Sequence, residues 1–110
     1  MIQQIKTVSE YDELVNQKGV VVIHFGFEWN SFDRTMQRTL FELQPEFNDT
    51  VSFGFVDVDT NATVELLKKI NLVNVPTLVY FLNGEQQAVE VGMKPMDDIR
   101  AKINMLLSIG

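Results

Sequence analysis

Few residues in this 110-residue chain can do chemistry. There is one histidine, His24, and no cysteine. Lack of cysteine removes thiolate nucleophiles, disulfides and Cys-based zinc or iron–sulfur sites. A single histidine cannot build a histidine-based zinc site, and no Ser/His/Asp grouping or Gly-rich phosphate loop occurs. Asp57-Val-Asp-Thr-Asn61 opens like a calcium loop. It then fails, with Ala62 where glycine is needed and Lys68 where the bidentate glutamate belongs. No metal and no cofactor are expected. Attention falls on Glu28-Trp29-Asn30-Ser31-Phe32-Asp33. Asp33 reads as a solvated acid in a first helical turn, favoured there by the dipole. An exposed carboxylate is a poor nucleophile without special activation. His24 reads as a core histidine with one ring nitrogen bonded to backbone or water. Phe27, Trp29 and Phe32 crowd one loop. Core packing suits Phe27, whereas Trp29 and Phe32 are hard to bury on a turn at a helix end.

The elements that position these residues alternate along the chain. Ile2 to Ile5 is a short strand candidate. Ser9, with Asp12 three residues on, can cap a helix whose apolar face is Tyr11, Leu14 and Val15. Val20 to Phe27 is a nearly continuous β-branched and aromatic run, which predicts a central strand covered on both sides. After the Trp29–Phe32 turn, Met36, Leu40, Leu43 and Phe47 recur at helical spacing. Pro45 removes a backbone donor inside that pattern, so the helix should kink or end near Gln44. Val51 to Val58 reads as a strand, and Thr63 to Ile70 as a helix with Asn71 as a left-handed cap. Thr77 to Leu82 reads as a buried strand, turning at Asn83-Gly84 into Gln86 to Val91. Pro95 and Asp97-Asp98 open a last helix with Met96, Ile99, Ile103, Leu106 and Leu107 inward. The order βαβαβαββα predicts an α/β fold: one mixed β-sheet flanked by four α-helices.

The length fits one domain over residues 1–110. Hydrophobic residues make up 45% and charged residues 22%, enough apolar surface for a core without staples. The net charge of −6 disfavours binding to phosphate backbones, so no nucleic-acid partner is expected. No apolar run approaches the roughly 20 residues of a membrane span, and the N-terminal residues lack the apolar core of a signal peptide. No membrane partner is expected, and the expected location is the cytoplasm. The sequons at Asn48 and Asn61 then carry no glycan.

The ordered motifs resemble the thioredoxin family over nearly the whole chain. Val22-Ile-His-Phe25 with Glu28-Trp29 is similar to the strand and tryptophan that precede the family's Cys-Gly-Pro-Cys. Val56-Asp-Val-Asp59, Val75-Pro76-Thr77, Phe81-Leu-Asn-Gly-Glu85 and Gly92 resemble the rest of the series in order. The resemblance implies a thioredoxin fold and a cis Val75–Pro76 bond. The departures carry the functional information. Asn30 and Asp33 occupy the two cysteine positions, with Ser31-Phe32 between them. His24 stands where the family keeps a buried Asp, Phe55 where a Lys commonly pairs with it, and Arg38 where a helix proline is usual. In the family template the side chain at position 24 points beneath the second cysteine position, so the resemblance allows a buried His24–Asp33 pair. Val20 to Ile23, Phe25-Gly26 and Trp29 are also similar to a thioredoxin-fold spliceosomal protein, and to the domain that precedes some monothiol glutaredoxins. Val75-Pro76-Thr77 argues against the spliceosomal relative.

The expectation that follows is a redox-inactive module that binds a protein or extended peptide. Its groove would comprise Phe27, Trp29, Phe32, Val75, Pro76 and Met93, with backbone pairing at Val75. Two alternatives stand beside it. One is an accessory factor in thiol-redox or glutathione chemistry whose partner supplies the thiol. The other is a structural subunit of a larger complex.

Overall fold

The computed structural model of the protein describes residues 2–72 and 74–110. Among these residues there are five strands: β1 (Gln3–Gln4), β2 (Val20–Gly26), β3 (Val51–Asp57), β4 (Thr77–Leu82) and β5 (Glu85–Val91). Four helices accompany them: α1 (Val8–Val15), α2 (Ser31–Phe47), α3 (Val64–Lys69) and α4 (Met96–Ile109). The strands form one mixed sheet in the order β1-β3-β2-β4-β5. β1, β3 and β2 run parallel, β4 is antiparallel to β2, and β5 is antiparallel to β4. This is the thioredoxin arrangement of an α/β fold.

Every residue of β2 is buried, as its nearly continuous apolar run predicts for a strand covered on both faces. Alternation along β2 divides the core. Val20 and Val22 join Met36, Leu40, Leu43 and Phe47 of α2 and Ile99, Ile103 and Leu106 of α4. Val21, Ile23 and Phe25 join Leu14 and Val15 of α1 and Leu66 of α3 on the opposite face. Each such aliphatic side chain contributes about 1.5–3 kcal/mol on burial, so these two layers fix which way β2 points its remaining residues. His24 and Gly26 share parity with Val20 and Val22, and so face α2. The turn between β4 and β5 has positive φ at both Asn83 (52°) and Gly84 (85°), the primed hairpin geometry that an Asn-Gly pair favours.

Four sequence expectations are corrected. Helix α1 begins two residues early, because Thr7 and Glu10 form a reciprocal capping box and Ser9 lies inside the helix. Helix α2 passes Pro45 and ends at Phe47. Proline costs one hydrogen bond there, but only two helical residues follow it and both are anchored. Phe47 is buried among the α2 and α4 side chains, and Arg100 of α4 grips both carboxylate oxygens of Glu46 at 2.7 and 2.9 Å. The third helix divides into a 3₁₀ turn at Asn61–Thr63 followed by α3, and Asn71 is not a left-handed cap. Ile70 leaves α3 in extended conformation (φ −107°, ψ 132°) and packs against the core layer of α1 and α3. The first strands are shorter than expected: β1 is Gln3–Gln4 and not Ile2 to Ile5, β2 stops at Gly26, one residue short of Phe27, and β3 stops at Asp57, one residue short of Val58. No helix of the described residues is long and apolar enough to cross a membrane.

Candidate functional site

The site is built at the C-terminal end of β2, where the chain turns into α2. Asn30 is the helix N-cap, and its side-chain oxygen accepts from the backbone N–H groups of Phe32 (2.8 Å) and Asp33 (3.3 Å). Asn30 therefore holds the helix start. Asp33 lies in the first turn and is only 1% exposed, which corrects the expectation of a solvated acid. Its Oδ1 receives His24 Nε2 at 2.8 Å, and its Oδ2 accepts from the backbone N–H of Phe27 at 3.1 Å. His24 is wholly buried, and its Nδ1 lies 2.8 Å from Gln37 Oε1. Asp33 and Gln37 are four residues apart and so share one face of α2, above the imidazole. Both ring nitrogens of His24 thus meet side-chain oxygens, not backbone or water.

Two apolar features shape this cluster. Phe55 of β3 packs its ring against the imidazole, centroids 5.0 Å apart. Gly26 leaves the slot that the carboxylate occupies. A Cβ at that position would overlap Asp33 Oδ1 and crowd His24 Nε2 to 2.8 Å. Among the described residues, no buried side-chain nitrogen or oxygen lacks a hydrogen-bond partner. Burying a carboxylate without hydrogen-bond partners is costly, and here both Asp33 oxygens have one. Among the described residues, the hydrogen bonds of the His24–Asp33 pair reach only Gln37 and the Phe27 N–H, and no serine, threonine or tyrosine hydroxyl. Its physical effect is to lock β2, the Phe27 turn and α2 together. A surface cavity of about 440 Å³, lined by Gln4, Phe27, Glu28, Asp33, Arg34, Gln37 and Phe55, opens beside it.

The aromatic residues lie just outside this lock. Phe27 is half-buried, and Trp29 stacks on it with ring centroids 5.0 Å apart and planes 12° from parallel. Trp29 Nε1 donates to Asp59 Oδ2 at 2.7 Å, yet the residue remains 61% exposed. Phe32 is 62% exposed. The Val75–Pro76 peptide is cis, and Pro76 directly precedes Thr77, which pairs with Phe25 near the end of β2. Pro76 itself is buried and its carbonyl accepts from the Gly92 N–H at 2.7 Å, which brings the exposed Met93 to the same end of the sheet. Val75 is half-buried, and its N–H donates to its neighbour's side chain, Asn74 Oδ1, at 2.8 Å. The expected backbone pairing at Val75 therefore requires that carboxamide to swing away.

Gly26, Gln37 and Asp59 escaped the sequence reading. Gln37 carries a weak signal, four residues beyond Asp33, and Gly26 another, two residues beyond His24 on the same strand face. Asp59 carries none, because a contact across 30 residues leaves no local trace. Among the described residues, no group of three His, Asp or Glu could hold a metal ion.

Comparison with known proteins adds lineage to this geometry. The family model described as Thioredoxin matches residues 3–105. Thioredoxin from Bacillus subtilis is 27% identical over 100 residues, covering 91% of this chain and 94% of that protein. Glutaredoxin 3 from Danio rerio is 30% identical over 82 residues, covering 73% of this chain but only 24% of that protein. Among solved structures, a point mutant of thioredoxin from Halobacterium salinarum superposes with a TM-score of 0.82 at 24% identity, over 96% of this chain and 89% of the other.

Proposed function

The chain belongs to the thioredoxin family, and from that premise we propose that it is a redox-inactive member. It binds an extended protein segment across Trp29, Phe32, Val75 and Met93, beside the buried Pro76. Thiol–disulfide exchange requires a sulfur nucleophile, and the chain has no cysteine. Asn30 and Asp33 have become a helix cap and a buried clamp, so the positions that once did chemistry now hold the turn still.

The observation that carries this reading is the state of Trp29. It is fixed by a stacked ring and a short hydrogen bond, and still mostly exposed. Ordering a large side chain costs rotamer freedom, typically offset by burial. Here the offset is missing from the free protein, and an apolar partner side chain laid on the indole supplies it. A pre-ordered aromatic anchor also lowers the entropy lost on association. The test uses Trp29 itself, the only tryptophan. Its emission should shift to the blue, saturably, on titration with short extended apolar peptides, and the response should weaken in Phe32→Ala. No saturable shift with any peptide in the panel defeats the proposal, as does any turnover of insulin disulfides by the pure protein.

The similarity to glutaredoxin 3 favours a second reading. In it the same rim docks the substrate of a thiol-bearing partner. Adding the protein to a monothiol glutaredoxin should then raise the partner's turnover. A pure binder leaves that turnover unchanged.

A further inference from the structure

The outermost ridge of α2 carries a charge arrangement that no ion pair among the described residues uses. Arg34, Arg38, Phe41 and Pro45 follow one another at spacings of four, three and four residues. That spacing places them in one line along the helix, opposite the buried line of Met36, Leu40, Leu43 and Phe47. All four ridge residues are exposed, and Phe41 is 64% exposed, a large aromatic ring where a polar side chain is usual.

The arginines there are unfavourable for the isolated helix. They stand four residues apart, a like-charge pairing that destabilises by a few tenths of a kcal/mol. Arg34 also lies in the first turns of α2, where the helix dipole disfavours a cation. Among the described residues neither guanidinium takes part in an ion pair, although Glu42 lies one turn beyond Arg38. The third arginine of the chain, Arg100, shows the contrast. It forks onto Glu46 and also bonds Asp97. Open grooves flank the ridge on the side of β1, one near Arg34 and Gln37 and another near Gln44 and Pro45.

We infer that this ridge is a docking face for an acidic segment of a partner protein that also carries apolar side chains. Planar guanidinium groups bind carboxylates in bidentate fashion, so Arg34 and Arg38 set the charge and register of such a segment. Phe41 and Pro45 give its apolar side chains a surface to cover. The chain as a whole carries a charge of −6, so an acidic partner is held by local contacts with these two guanidinium groups and not by a general attraction to the molecule. The ridge does not include Trp29, and the inference does not depend on what the Trp29 rim binds.

The experiment is an amide chemical-shift titration of the intact chain with a synthetic amphipathic peptide, Glu-rich with Leu along one side. Saturable shifts should run along Arg34–Glu46 at low salt and fade at high salt. Arg34→Glu with Arg38→Glu should weaken binding about tenfold or more, since each reversal turns an attraction into a repulsion. Phe41→Ala should weaken it several-fold, and Trp29→Ala should leave it unchanged. All of these exposed substitutions should leave the chain folded at the titration temperature, as melting curves check. Shifts centred on Trp29 and Pro76, or affinity unmoved by the charge reversals, overturn the inference. So does concentration-dependent self-association that Phe41→Ala abolishes, which would make a second copy of the chain the occupant. Equal affinity for a single-stranded oligonucleotide of matching charge would reduce the ridge to a bare cation and overturn it as well.

Discussion

At the scale of single residues, the site turns on Gly26, whose missing side chain makes the His24–Asp33 contact feasible. Gly26→Ala should destabilise the fold by about 1–3 kcal/mol, the usual range for forcing atoms into a packed space. Urea denaturation measures it. The loss should shrink in an Asp33→Ala background, because the carboxylate that the new methyl meets is gone. Equal losses in both backgrounds would mean that the methyl clashes with something else. Asp33→Ala alone should also speed exchange of the Phe27 amide, which loses its acceptor. In the sequence, the identity of each residue here was visible but its depth was not. Asp33 at a helix start reads as exposed on local grounds. Its burial comes from His24 on one element and from the absence of atoms at Gly26, neither of which is a local property of Asp33.

At the scale of elements, what was legible followed from patterns that few conformations satisfy. The nearly continuous apolar run of β2 and the Asn83-Gly84 turn each admit one simple solution, and so does the inner line of Ile99, Ile103 and Leu106. What was misread had two plausible local solutions. Ser9 and Thr7 can both cap a helix, and the reciprocal bond from Glu10 decides for Thr7. Thr7→Ala should therefore cost about 1 kcal/mol, and Ser9→Ala should change little, as read from thermal melts. Pro45 likewise stops a helix in isolation but not one whose last turn is held by Phe47 and by Arg100 on Glu46. The same bonds from Arg100 keep the Glu46 carboxyl below its ordinary value. That contribution is present above the unfolded value and fades as pH falls through the folded one. Leu40→Ala, in the middle of the α2 contact layer, should cost about 2–5 kcal/mol.

For the whole molecule, the two tyrosines give a pH limit. Burial, helped by Asp12, pushes the Tyr11 phenol up to about 12. Burial and the hydrogen bond to Glu90 raise Tyr80 further. In an unfolded chain both would ionise near 10. A raised folded value means that the stabilisation is complete below that pH and is lost as pH rises through the folded values. The urea midpoint should fall steeply between about pH 10 and 12, and Tyr11→Phe should make the fall shallower. The fold could be read across nearly the whole chain because its motifs occur in order. What it binds could not, because that property belongs to surface residues whose neighbours come from distant segments.

The most direct measurement is the dissociation constant of one extended apolar peptide, by calorimetry, for the native chain and for Trp29→Ala with Phe32→Ala. The account predicts about tenfold or greater weakening, the usual mark of aromatic anchor loss, with an unchanged melting temperature. Equal affinities for the two proteins would contradict it.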